Sequence, residues 1–240
     1  MEPLLYILFA AIAFLYASVG HGGASGYIAL MILFAFPQDE VKTNALILNI
    51  LVSLIAFIQY FRKDTFPYRL FLLLALFSIP AAFIGGTMTL HDKAFKIILG
   101  LVLLIAIAKL LGLMPDKHFE VKPSLLPIMF MGAGIGLLSG LLGIGGGIIL
   151  SPILILLGWC TVKQTSAISA LFIFVNSISG LWGKSQAELH FSGNLVYIAV
   201  FTVLGGFAGA YLGSNKFRVE WIKQILALVL GIASFKLCFT

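Results

Sequence analysis

The feature that most constrains this chain is a run of four glycines within five residues, Gly143-Ile144-Gly145-Gly146-Gly147, inside an apolar stretch. Each glycine in a helix costs roughly 1 kcal/mol relative to alanine, so the run predicts a break between two helices. A weaker copy, Gly20-His21-Gly22-Gly23, lies near the N-terminus. The apolar segments 24–36 and 147–158 follow the two runs. As helices they would span roughly 18–20 Å, less than a bilayer core of about 30 Å. Each run therefore predicts either a re-entrant helical hairpin or a broken spanning helix.

The composition places the chain in a lipid bilayer. Of its 240 residues, 61% are hydrophobic and 10% are charged, whereas soluble domains carry about 25% charged residues. The net charge of +6 lies mostly in short loops, so we expect no nucleic-acid partner. The sequence predicts an all-α integral membrane protein of the cell membrane. Ten apolar segments are expected at 4–19, 24–36, 42–61, 69–89, 94–112, 124–142, 147–158, 164–183, 194–213 and 220–238.

The two halves of the chain resemble each other. Residues 41–45 match residues 162–167 with one insertion, and the glycine runs occupy corresponding positions. We expect one transmembrane domain made of an N-terminal repeat, residues 1–113, a linker, residues 114–122, and a C-terminal repeat, residues 123–240. Because each repeat contains an odd number of crossings, five segments in all or three if the hairpins are re-entrant, the copies would have inverted topology. That architecture is typical of secondary transporters.

The basic residues divide unequally between the two sides of the membrane, ten against five. The positive-inside rule makes the richer side cytoplasmic and so predicts that both termini are extracytoplasmic. The ten residues on the richer side are Arg62, Lys63, Arg69, Lys109, Lys117, Lys122, Lys163, Lys216, Arg218 and Lys223.

The glycine runs predict an anion site. A helix begins after each run, near Ala24 and Gly147, and a helix N-terminus carries unpaired N–H groups and about half a positive charge. In inverted repeats these termini approach the midplane from opposite faces and form a small, dry, electropositive site. The alternative is that the glycines only allow close helix packing, which we expect for Gly85-Gly86 and for residues 132–136. The candidate binding glycines are Gly20, Gly22, Gly23, Gly143, Gly145, Gly146 and Gly147.

Polar side chains near these runs could complete the shell of an anion or could bond between helices. His21 is the one ionisable residue expected at depth, where it would carry a coupling proton, donate to the substrate, or remain neutral and bonded to backbone. We expect no cofactor, no metal ligand set and no catalytic residue. The further candidates for substrate binding are Ser25, Asn44, Asn49, Thr165, Ser166 and Asn176.

The glycine runs resemble those of the TauE/SafE family of sulfite and organosulfonate exporters. That family carries a Gly-x-Gly-Gly-Gly motif in each half with a proline shortly after it, and residues 143–147 with Pro152 fit this pattern. Residues 20–24 fit a common variant that ends in alanine. The resemblance covers essentially the whole chain and implies transport of a sulfur-containing anion.

Three functions remain open at this point. The first is a secondary transporter that moves a small sulfur-containing anion, sulfite or a sulfonate, by alternating access. The second is an anion channel, which would show high flux without exchange. The third is a membrane scaffold, in which substitutions in the glycine runs would affect folding but not ligand binding.

Overall fold

The structure, a computed structural model, describes residues 3–88, 124–187 and 189–216, together with a few single positions elsewhere. These residues form helices and their connections, which confirms the all-helical prediction for this part of the chain. The predicted segments 94–112 and 220–238 lie outside it. The helices are α1 (Pro3–Ala17), α2 (Ala24–Leu33), α3 (Gln38–Phe61), α4 (Tyr68–Thr87), α5 (Leu125–Leu142), α6 (Gly147–Leu156), α7 (Val162–Lys184) and α8 (Leu195–Asn215).

Five of these helices, α3, α4, α5, α7 and α8, are long and apolar enough to cross a membrane. Large apolar side chains cover their outer faces: Leu72 is 62% exposed, Trp182 66% and Val196 72%. Such a surface suits lipid and not water. Helices α2 and α6 have 10 residues each, about 15 Å of helix, so neither can cross a core of about 30 Å alone.

Glycine stripes bring two pairs of helices into backbone contact. Helix α5 packs on α4, and α8 packs on α1. A Cβ atom added at Gly136 would collide with the backbone of Ser78, and one at Gly209 would collide with the backbone of Phe14. Small residues spaced four apart are a common device for close helix packing in membranes. The stripes consist of Gly132, Gly136 and Gly140 on α5 and of Gly205, Gly209 and Gly213 on α8.

The packing role predicted for other glycines is present at Gly85 and Gly86, whose added Cβ atoms would meet the carbonyl oxygens of Leu137 and Gly180. Gly134 differs from this expectation. It is exposed and nothing lies within 4 Å of an added Cβ atom, because it faces away from the stripe formed by its neighbours two residues on either side.

Helices α3 and α7 pack on each other, and each also contacts helices from both halves of the chain. Three further kinds of pairing correspond when α1–α4 are exchanged for α5–α8. The contact of α1 with α8 corresponds to that of α5 with α4, α2 with α3 to α6 with α7, and α3 with α8 to α7 with α4. This arrangement puts α3 and α7, with the short helices against them, at the centre of the described bundle.

A polar cluster ties the start of α7 to the loop after α3. Thr161 and Gln164 form a capping box, with N–H to side-chain distances of 3.2 and 3.0 Å, and this box fixes where α7 begins. The Thr161 hydroxyl also donates to Asp64 at 2.8 Å, and the Thr65 N–H donates to the same carboxylate at 2.7 Å. These hydrogen bonds hold the pKa of Asp64 below its usual range.

Candidate functional site

The chain leaves the helical conformation at both glycine runs. After α1 it passes through two left-handed glycines before α2 begins, and after α5 it passes through three before α6 begins. The residue immediately before each short helix is left-handed, which explains the choice of glycine, since a Cβ atom makes this conformation costly. The left-handed residues are Gly20 (φ +78°), Gly23 (+96°), Gly143 (+73°), Gly145 (+74°) and Gly146 (+78°).

The two turns meet at Asn49, a fully buried residue of α3. Its Oδ1 accepts the N–H of Ala24 at 3.2 Å, and its Nδ2 donates to the Ser177 hydroxyl of α7 at 2.9 Å. Gly22 and Gly145 both lie against this amide, so closely that a Cβ atom on either glycine would collide with it. One side chain therefore contacts both glycine turns and links the first turn to α7.

His21 connects the first turn to the second short helix. Its Nδ1 lies 3.2 Å from the carbonyl oxygen of Val19, and its Nε2 lies 3.2 Å from that of Gly147 and 3.0 Å from the Ser151 hydroxyl. The Ser151 oxygen lies 2.6 Å from that of Ser169 on α7. A neutral imidazole has one N–H and can donate to one of these carbonyls, whereas the protonated ring can donate to both.

His21 is also distinctive in its burial. At 3% exposure it is the one buried side chain among the acidic and basic residues that the structure describes. A proton taken up here would place a full positive charge beside the second glycine turn.

The N-terminus of α6 offers a row of amide hydrogens. Within the described ranges the N–H groups of Gly145, Gly146, Gly147 and Ile148 donate no hydrogen bond. The N-terminus of α2 differs, because the side-chain oxygen of Asn49 already accepts from Ala24. The two helix N-termini thus differ in their hydrogen bonding, although both helices have 10 residues and follow a left-handed glycine.

Three other predicted residues, Gly20, Ser166 and Ser25, lie in or near the first turn, but among the described residues none of them forms a hydrogen bond with Asn49. The first turn touches α7 at a second point, since Gly20 lies against the backbone of Ser166. The hydroxyl of Ser25 forms a hydrogen bond with that of Tyr16 at 2.8 Å, so its partner lies within the first half of the chain.

Three further predicted residues are buried and incompletely paired. Asn176 donates to the carbonyl of Phe172 in its own helix at 2.8 Å, and its Oδ1 has no partner among the described residues. Asn44 accepts from the backbone N–H of Ser192 at 3.5 Å, and its Nδ2 is unpaired in the same sense, as is the hydroxyl of Thr165. None of these contacts joins the group at Asn49.

The sequence also places Ser177 near the runs, although it is not among the selected binding candidates, and in the structure it bonds to Asn49. The interpretation from sequence missed Ser151 and Ser169, whose hydroxyls extend from His21. One signal could have found Ser169: it and Ser177 are eight residues apart on α7 and share a helix face with Ile173, which packs on Gly145 and Gly147.

A family model described as sulfite exporter TauE/SafE matches residues 5–237. This chain belongs to the TauE/SafE family. A curated relative, the probable membrane transporter protein y4hK of Sinorhizobium fredii, is 33% identical over 238 residues, which cover 97% of this chain and 96% of the relative. A probable membrane transporter protein of Methanocaldococcus jannaschii is 28% identical over 251 residues, 96% of this chain and 92% of the relative. No solved structure matches the chain.

Membership of the TauE/SafE family, transporter relatives along nearly the whole chain and five apolar spanning helices make this protein an integral membrane transporter. The resemblance drawn from the glycine motifs is confirmed. The glycine motifs on which that resemblance rested form the two turns at Asn49.

Proposed function

We propose that this protein is a secondary transporter for a small sulfur-containing anion, sulfite or an organosulfonate, and that the anion binds where the two glycine turns meet. The observation that carries the proposal is the contact of Gly22 and Gly145 with one buried amide, that of Asn49, beside a row of unpaired N–H groups at α6. The family description, which names sulfite exporters, supports the class of substrate.

The chemistry of the turns suits a compact oxyanion. Backbone N–H groups at a helix N-terminus bind negative charge without a lysine or arginine, and burial strengthens the interaction by lowering the local dielectric constant. Because no lysine or arginine forms an ion pair with the anion, the anion can also dissociate, which a transporter requires. His21 would add positive charge at this position when it is protonated.

The repeats would supply the movement. Residues 1–113 and 123–240 would form two inverted repeats, joined by 114–122, and would rock about the central α3–α7 contact. The exchange of helix pairings between α1–α4 and α5–α8 is what such a pseudo-two-fold axis predicts. The polar cluster of Asp64 and Thr161 lies between the halves and would open and close with this motion.

Two experiments test the proposal. Purified protein is heated with sulfite, sulfate, thiosulfate, taurine or sulfoacetate, and at least one anion should raise its melting temperature. Proteoliposomes loaded with that anion should then exchange it faster than they lose it, as carriers do. High flux without exchange would indicate the anion channel, and the absence of binding by every anion would favour the scaffold.

His21→Gln is expected to flatten the pH dependence of transport while expression stays close to that of the parent. Protonation of His21 strengthens anion binding, so binding should weaken in the parent as pH rises through the histidine's titration, and glutamine removes this step. The measurement is uptake into proteoliposomes across a pH series, with a sulfonate as substrate because its charge stays constant. An unchanged profile at full activity would exclude His21 from the mechanism.

Both termini are expected to lie outside the cytoplasm, because ten of the fifteen lysines and arginines fall on the opposite side of the predicted topology. A C-terminal alkaline phosphatase fusion should be active in cells, and a C-terminal green fluorescent protein fusion should be dark. The reverse pair of results would contradict this topology.

A further inference from the structure

Two buried side chains with unpaired hydroxyls lie beside the glycines that precede the short helices. Tyr27 and Ser139 are fully buried, and their hydroxyl oxygens have no hydrogen-bond partner among the described residues. A Cβ atom added at Gly23 would lie 2.7 Å from the Tyr27 hydroxyl oxygen. One added at Gly146 would lie 3.3 Å from the Cβ atom of Ser139.

Such unpaired groups call for an explanation, because nearly all buried polar atoms in proteins have a partner. A hydroxyl that stays unpaired loses the hydrogen bonds it made with water and gains none. Other hydroxyls near the turns do have partners, since Tyr16 pairs with Ser25 and Ser177 pairs with Asn49. Tyr27 and Ser139 combine an unpaired hydroxyl with a position against the glycine that precedes a short helix, where a ligand would be expected.

We propose that the hydroxyls of Tyr27 and Ser139 are direct ligands of the transported anion, one at the start of each short helix. This inference rests on the proposed anion site and adds its side-chain donors. Both groups can rotate a hydrogen toward an anion oxygen, and Ser139 would join the unpaired N–H groups at the start of α6. Both donors are neutral, so they leave the proposed class of substrate unchanged: a compact oxyanion, either sulfite or the head group of a sulfonate.

The two halves of the chain supply these donors from different helices. The Tyr27 hydroxyl belongs to α2 itself and reaches back to the residue that precedes its own helix, as long side chains in a first turn do. The Ser139 hydroxyl comes from α5, one turn before the glycine run. An anion bound by both hydroxyls would contact the two halves of the chain through different side chains. Its hydrogen bond to one half could then break during transport while its hydrogen bond to the other half remains.

Tyr27→Phe and Ser139→Ala test the proposal because each removes only the unpaired hydroxyl. Without ligand, each variant should melt at or slightly above the temperature of the parent, since no hydrogen bond within the protein is lost. With sulfite, and separately with taurine, each should need roughly tenfold or more anion for the same thermal shift, because hydrogen bonds to charged groups are the stronger ones.

The matched control is Ser78→Ala. Ser78 also carries a fully buried hydroxyl without a described partner, but it lies against Gly136 in the contact of α4 with α5 and not at a turn. This variant should bind both anions like the parent. Equal weakening in all three variants would overturn the inference, because the effect would not depend on the turns.

The remaining outcomes separate the two proposals. If the parent binds an anion and both test variants bind it equally well, the hydroxyls are not ligands, while the proposed transport function stands. If no anion stabilises the parent, both proposals fail. If neither variant can be recovered folded, the hydroxyls have a structural role, and this inference is overturned.

Discussion

Replacing Gly145 with valine is expected to abolish the stabilisation of the protein by its anion. Gly145 has φ +74°, a conformation that a β-branched residue rarely adopts. Its added side chain would collide with the amide of Asn49 and would lie 2.7 Å from Ile173. The turn must then move, and with it the N–H groups at the start of α6. Losing two or three hydrogen bonds to an anion, at about 1.5–3 kcal/mol each, weakens binding by several orders of magnitude.

The measurement is the anion-dependent shift in melting temperature, on protein shown by gel filtration to be folded. Gly158→Val is the matched control, because Gly158 is also left-handed, at φ +64°, but has nothing within 4 Å of an added Cβ atom. Gly134→Ala is a second control in an exposed helical position. Both should keep the response. If folded Gly145→Val binds the anion like the parent, the turn is architectural and the site lies elsewhere.

The starts of both short helices could be predicted from the sequence, but the end of α2 could not. Helix α6 ends in the structure at Leu156, and Gly158 adopts the left-handed conformation that closes it. Helix α2 ends at Leu33, where Ala35 takes the same role at φ +53°. Since alanine seldom adopts this conformation, nothing in the sequence marks this end, and the predicted segment runs on to residue 36.

The close approach of the turns to α3 and α7 could not be predicted either. Glycine signals a turn by its local conformational cost, which a single sequence reveals. The partner of a turn depends on how distant helices pack. From the sequence, Asn49 was therefore only one of three candidate amides, with Asn44 and Asn176, and the structure singles it out by placing both Gly22 and Gly145 against it. Serines such as Ser151 were harder still to predict, because serine in a membrane helix often bonds to its own backbone.

Asn49→Asp is expected to weaken anion binding at pH 8 by more than a hundredfold while the fold is kept. The carboxylate has the shape of the amide, and its oxygen can still accept from the N–H of Ala24. It adds a negative charge between the two turns. Two unit charges about 5 Å apart at an effective dielectric constant of about 20 repel by about 3 kcal/mol, which corresponds to a loss of that size.

Acidification provides the test of mechanism. As the aspartate takes up a proton it becomes neutral, so binding by the variant should recover as pH falls, and the ratio of its affinity to that of the parent should rise. Sulfate or an alkanesulfonate serves as the anion, because its charge does not change over this range.

The control variant Asn49→Ala separates the effect of charge from that of structure. It leaves the N–H of Ala24 unpaired, at a cost of about 1–3 kcal/mol, but it adds no negative charge that would repel the anion. It should lower the melting temperature more than Asn49→Asp does at low pH, yet bind better than Asn49→Asp at pH 8. If the aspartate variant is folded and binds as tightly as the parent at pH 8, the anion does not bind between the two glycine turns.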